Sequence, residues 1–287
     1  MKTISRTIAQ KTNYFGFPKP GEFIEMTGAH SLEAADRAIF NILYQFAHDS
    51  GKVLNPAAEW EIPLSTLRQA FSKHENNGRL RQSLERLRSV MANIHYIDEN
   101  DEPRVIITGL FDFFDIPARE MTKRPTLRYG LPRKVIPILE SSGRWGRIRA
   151  EIVCSMTSKY SIALYELVQL KAGLEKCVET VAPDRLRDLL GVPPGNYERL
   201  DNLLHKVIEP AVLQVNGLSD MGVSIQPRRK HARSGVESFD IAWWRKNDKE
   251  EMLAAVKERN RSKVGRTARL KGTVEIAMPR VPLLSQG

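Results

Sequence analysis

The chain has 287 residues, enough for two domains with separate hydrophobic cores. Its 41% hydrophobic and 27% charged residues exclude a fibrous or wholly disordered protein. No apolar run approaches the ~18 residues of a membrane-crossing helix, and the N-terminal MKTISRTIAQK lacks the apolar block of a secretory signal, so the expectation is a cytoplasmic protein with no membrane partner. A net charge of +10 points to a polyanion, with ten Lys/Arg against four acids between residues 245 and 271.

In chain order, residues 1–28 read as an irregular arm, because Gly16, Pro18, Pro20 and Gly21 break any period. From Ser31, a candidate N-cap, the residues Ala35, Ile39, Ile42, Leu43 and Phe46 lay an apolar stripe at helical steps. Gly51 and Pro56 end that helix, and Trp60 and Ile62 alternate as a short strand. Pro63 opens a brief helix, and a longer one runs from Asn77 to Asn93 with Leu80, Leu84, Leu87 and Met91 on one face. His95 to Ile97, the turn-rich DENDEP and Val105 to Ile107 then make a hairpin with an acidic tip.

Residues 125–146 read as transitional, and the order then repeats. SKYSIALYELVQL (158–170) is an amphipathic helix, Thr180-Val181 a short strand, and PDRLRDLL a helix stopped by Gly191. NYERLDNLLHKVIEPAVLQVN is a longer helix interrupted at Pro210, where a missing N–H should kink it. Two alternating strands close the unit around the basic turn PRRKHARSG. Arg79 precedes Arg199, and Pro63 precedes Pro183, by the same 120 residues. Two copies of helix, strand, helix, longer helix and hairpin imply an α+β protein of two tandem winged-helix domains related by an internal repeat. The expected limits are an N-terminal arm at 1–28, domains at 29–122 and 123–245, and a basic tail at 246–287 that is flexible or partly helical.

A helix enters the major groove of DNA when one side packs on its domain and the other carries hydrogen-bonding groups. In the second unit Leu200, Leu204, Val207 and Ala211 are the expected inward side, while Arg199, Asn202, His205, Lys206 and Glu209 face out. Arginine and lysine suit guanine, and asparagine suits adenine. The adjacent turn gathers Arg228, Arg229, Lys230, His231 and Arg233, the charge needed to grip a phosphate backbone. The first unit's acidic turn opposes such a role, so Arg79, Arg81, Arg86 and Arg88 should contribute weaker contacts, or that unit supplies a protein surface.

Enzymatic readings find no support in the sequence. The six histidines form no metal-binding pattern, no phosphate-cradling Gly-x-x-x-x-Gly-Lys-Ser/Thr is present, and Asp112 and Asp115 flank Phe113-Phe114 without further ligands. The expectation is no catalytic residue, no metal and no cofactor. Cys154 and Cys177 read as core filling, and of Trp243 and Trp244 one should be core.

MTSKYSIALYEL (156–167), LRDLLGV (186–192), YERL (197–200) and VIEPAVLQVN (207–216) occur in an order that resembles the iteron-binding plasmid replication initiators, the family of RepA/RepE-type initiator proteins. The first half is similar more loosely, and the resemblance spans roughly residues 25 to 245. It implies a non-enzymatic protein that binds repeated elements in double-stranded DNA at a plasmid origin and acts with a host initiator and replicative helicase. It also implies a homodimer, formed largely through the first domain, that represses its own gene, and it places the main reading helix on Asn196 to Glu209. It says nothing of the tail after residue 245. A winged-helix transcriptional repressor without origin function remains an alternative, because both begin with the same groove contacts.

Overall fold

The computed structural model describes residues 16–71, 77–117, 125–231, 235–246 and 249–263. The chain divides into two compact units, 1–159 and 160–287. No helix among the described residues is long and apolar enough to cross a membrane.

The first unit comprises β1 (Phe17–Pro20), α1 (Gly21–Ile24), α2 (Ala34–Asp49), β2 (Trp60–Pro63), α3 (Leu64–Leu67), α4 (Asn77–Ser89), β3 (Met91–Ile97), β4 (Pro103–Gly109), β5 (Phe113–Asp115), β6 (Thr126–Gly130), α5 (Ile136–Ser141), β7 (Trp145–Ile148) and α6 (Ala150–Ser155). Helix α2 is buried almost all round, and Phe23, Phe40, Tyr44, Phe111 and Tyr129 pack their rings edge-on against one another around it. The Tyr129 hydroxyl donates to the Leu43 carbonyl at 2.6 Å, which satisfies a phenol inside an apolar core. Its pKa is pushed up by that burial.

Several expectations are corrected here. The region expected as an irregular arm is ordered from Gly16: β1 pairs antiparallel with β7, and Phe17 and Phe23 are core residues. Residues 1–15 lie outside the described residues. The expected domain start at 123 falls inside the first unit, because β6 pairs with both β2 and β5 to give the order β2-β6-β5. Helix α2 starts three residues after the expected cap. Ser31 ends a short 3-10 turn, and Glu33 instead forms a capping box with Asp36, whose Oδ2 accepts the Glu33 N–H at 2.8 Å. Phe46, expected on the buried stripe, is exposed. Helix α4 stops at Ser89, so Met91 is not on its apolar side but is an exposed residue of β3.

The second unit opens on α7 (Lys159–Lys171), whose first residue lies at the boundary. It continues through β8 (Val178–Val181), α8 (Pro183–Leu190), α9 (Leu200–Leu203), a π-helical turn (Leu204–Ile208), α10 (Glu209–Leu218), β9 (Met221–Arg228), β10 (Ser238–Arg245) and α11 (Lys249–Lys263). The sheet order is β8-β10-β9. Helix α8 has the sequence punctuation of a short helix: Pro183 sits in its first turn, and Gly191 ends it in the left-handed region at φ 70°. Trp243 is buried and its indole N–H donates to the Lys171 carbonyl at 2.9 Å, whereas Trp244 is 42% exposed and lies flat over Gly222. Cys154 is half-buried with its thiol pushed up to about 12 by desolvation. Cys177 is exposed, so it is not the core residue its type suggested. The tail is helical to Lys263, and residues 264–287 lie outside the described residues.

Both units are winged helices, with one asymmetry. In the second unit the short strand before the helix pair joins the wing, β8 pairing with β10. In the first, β3 and β4 form a sheet of their own, and β2 pairs instead with β6.

Candidate nucleic-acid interface

The long helix of the second unit starts later than expected. Residues Asn196 to Glu198 are loop, Arg199 is the N-cap with extended backbone, and helical geometry begins at Leu200. Pro210 does not simply kink the helix. The Glu209 N–H reaches back to the Leu204 carbonyl, five residues earlier, and this π turn lets Pro210 fall at the second position of α10, where its missing N–H costs no bond. The extra residue shifts the buried side to Leu203, Val207, Ile208 and Ala211, while Leu200 and Leu204 are half-buried at its edge. Arg199, Asn202, His205, Lys206 and Glu209 are all exposed on the outer side, as their polarity implied. Glu209 accepts from His205 at 3.0 Å, and this hydrogen bond raises the imidazole pKa.

The wing is the β9–β10 hairpin, in which Arg228 pairs in register with Ser238. Arg228, Arg229, Lys230 and His231 are exposed at its tip, and Arg233 lies outside the described residues. The tip is not uncompensated, as clustering alone implied. Arg228 is 3.7 Å from Asp240, Arg229 is 3.5 Å from Asp201, and Lys230 is 3.2 Å from Glu237. Because Asp201 stands in the first turn of α9, its ion pair brings the wing beside the polar helix face. The Thr180 hydroxyl donates to Asp240 at 2.6 Å and orients it.

Preceding α9, Arg187 of α8 donates to three consecutive carbonyls: Asn196 at 2.9 Å, Tyr197 at 2.5 Å and Glu198 at 3.0 Å. Neither these bonds nor the wing's carboxylate partners were anticipated. No periodic or spacing signal links Arg187 to a loop ten residues on, and Asp201 becomes a first-turn acid only because the helix starts at Leu200 and not at Asn196.

The first unit disperses its cations. Arg79, Arg81 and Arg88 are exposed on α4. Arg79 borders a polar cleft with Glu33, Gln82, Ser155 and Thr157, whereas Arg81 and Arg88 border a separate groove containing Leu84, Phe113 and Phe114. Arg81 also lies 3.7 Å from Glu85. Arg86 is withdrawn from any outward role: its guanidinium grips the buried Asp36 at 2.7 and 2.9 Å, tying α4 to the start of α2. At the wing tip, Asp98 accepts the N–H groups of Asn100 and Glu102 and the Arg104 guanidinium. Asp115, which the sequence reading set aside as a catalytic carboxylate, is paired with Arg128.

These features define a two-domain winged-helix protein whose second domain, among the described residues, sets a basic hairpin tip beside an exposed polar helix face. The chain belongs to the replication initiator protein family. The family model described as "Initiator Replication protein, WH1" matches residues 19–169, and "Initiator Rep protein, WH2" matches residues 183–243. Among solved structures, the Pi initiator protein in complex with iteron DNA aligns with a TM-score of 0.59 at 13% identity, over 83% of this chain and 100% of that one. Domains 2 and 3 of RctB align with a TM-score of 0.46 at 11% identity, over 73% of this chain and 81% of that one. No curated protein sequence matches. The likeness to the Pi initiator structure is one of fold.

Proposed function

We propose that this chain is a plasmid replication initiator that binds repeated elements in double-stranded DNA at an origin, with the second domain as the principal reader. The observation that carries this reading is the ion pair between Arg229 and Asp201, which joins a basic wing to the exposed polar side of α9. Arg199, Asn202, His205 and Lys206 address base edges in the major groove, while Arg228, Arg229, Lys230 and Arg233 hold the adjacent backbone. Arg79, Arg81 and Arg88 add weaker contacts, and the protein needs no cofactor or metal and performs no covalent step. Melting of the origin then draws on binding energy and on a recruited host initiator and helicase.

The first domain supplies a homodimer contact through which the protein represses its own gene. Its hairpin supports this: one face carries Met91, Ile97, Val105 and Ile107, which are 53%, 58%, 50% and 66% exposed. The same face also carries Asn93 and His95, and four exposed apolar side chains gathered on one hairpin face support an interaction surface.

Selection of bound duplexes from a random pool, followed by footprinting, tests the reading. Direct repeats beside an AT-rich stretch are expected. Asn202→Ala or Arg199→Ala should reduce discrimination by about 1–3 kcal/mol. Arg228→Ala with Arg229→Ala should weaken all DNA binding and flatten its salt dependence. Recovery of only a single inverted repeat would favour a repressor, and unchanged protection by every variant would overturn the DNA assignment.

A further inference from the structure

Arg187 lies on α8, yet its guanidinium donates hydrogen bonds to the loop that delivers α9. Its side chain is 16% exposed, and the guanidinium spans the carbonyls of Asn196, Tyr197 and Glu198, the three residues directly before the N-cap Arg199. The loop's own backbone bond, from the Asn196 N–H to the Pro193 carbonyl at 3.1 Å, stands beside strained backbone. Tyr197 has φ 53°, a left-handed conformation that is unfavourable for a bulky residue, and Gly195 has φ 78°. The Tyr197 ring meets Tyr160 of α7 edge-on at 6.5 Å, a second tether on the same residue. A planar group with five donors suits three carbonyls on one side of a turn, and a lysine ammonium does not reproduce that fork. The 120-residue offset places Leu67 at this position in the first unit, a fully buried apolar side chain, so the polar clamp belongs to the second domain.

We infer that Arg187 is a positioning residue for sequence discrimination: it fixes the angle and register at which α9 leaves the loop, and so where Arg199 and Asn202 meet the bases. The inference rests on the assignment of α9 as the reading element. It separates two properties that ordinary destabilisation lowers together, because phosphate contacts from the wing tolerate a small shift of α9 and base contacts do not.

The test uses the full-length protein, Arg187→Gln, Arg187→Lys and the control Asn202→Ala. Binding is measured by fluorescence anisotropy to a duplex selected by the wild type and to a random duplex of equal length, across a salt series, with thermal midpoints recorded. Arg187→Gln should lose roughly ten- to hundredfold in affinity for the selected duplex, the size expected when one or two base contacts fail. It should keep its affinity for the random duplex and its salt slope, with Arg187→Lys intermediate. Parallel loss on both duplexes with a lowered midpoint would make Arg187 a fold element only, and a salt slope reduced by about one would make it a phosphate contact; either overturns the inference. If Asn202→Ala loses selectivity and Arg187→Gln does not, Arg187 alone is misassigned. If Asn202→Ala keeps selectivity, the assignment of α9 falls and the inference with it.

Discussion

Arg229 Nη2 lies 3.5 Å from Asp201 Oδ1, so the basic wing is held to the first turn of α9 by a carboxylate on the very face assigned to base reading. In the proposed DNA complex, phosphate would compete with that carboxylate for the guanidinium. Asp201→Asn is therefore expected to raise affinity for random DNA about two- to fivefold, the range given by an exposed ion pair. Affinity for the selected site should rise less, so discrimination falls. Equilibrium binding at low and moderate salt checks this, and unchanged random-DNA affinity would mean that Arg229 does not face the backbone.

His205 links the same face to pH. Its hydrogen bond to Glu209 raises the imidazole pKa, so the protonated form is favoured in the folded chain. The associated stability is fully present below the unfolded histidine pKa and is lost as pH rises through the raised folded value. A cation on the groove face also favours DNA. Wild-type affinity should fall between about pH 6 and about pH 8, and His205→Asn should flatten that profile. Identical profiles for the two proteins would remove His205 from the interface.

Local signals were legible in the sequence and distant ones were not. Pro183 and Gly191 bracket α8, and alternation marked β9 and β10, because caps and strand patterns reside in neighbouring residues. The 120-residue repeat revealed two winged helices. It concealed the pairing of β2 with β6, a contact across more than sixty residues that carries β6 into the first unit. Arg86 looked like its exposed neighbours Arg81 and Arg88 until Asp36, fifty residues earlier, was placed beneath it. At Pro210 the missing N–H was evident, but its accommodation by a π turn depends on which side chains the core accepts. Of the reading face, the outward residues were legible and the inward ones only in part. The Arg187 clamp left no local trace.

Lys246 supplies a stability test. Its ammonium donates to the carbonyls of Asn216 and Ser219 at the end of α10, the latter at 2.9 Å, and desolvation brings its pKa down to about 8. Between that value and the ordinary lysine pKa, the unfolded chain binds more protons than the folded one, so stability rises with pH across this window. A neutral amine still carries two hydrogens for the two carbonyls. Urea midpoints of the wild type, compared with those of Lys246→Met, should therefore diverge in favour of the wild type from about pH 8 to about pH 10. A constant difference would mean that Lys246 remains charged throughout.

The exposed hairpin face of the first domain gives the last prediction. Ile107 lies opposite Asn93 and Val105 opposite His95 in the β3–β4 register, placing both apolar side chains on one face with Ile97 and Met91. In the proposed homodimer a second copy would cover that face and remove them from water, each fully buried isoleucine or valine contributing about 1.5–3 kcal/mol. Two copies across a two-fold axis bury each residue twice, so a single substitution acts at two points of the contact. Ile107→Lys is expected to shift dimer dissociation by roughly a hundredfold or more in sedimentation equilibrium, through lost burial and an opposed like charge. Because Ile107 lies outside the second domain's wing and α9, binding of the variant to a duplex with one repeat should match the wild type. An unaltered dimer would place the contact elsewhere on the chain, and a weakened dimer with impaired single-repeat binding would show that this hairpin also serves the DNA complex.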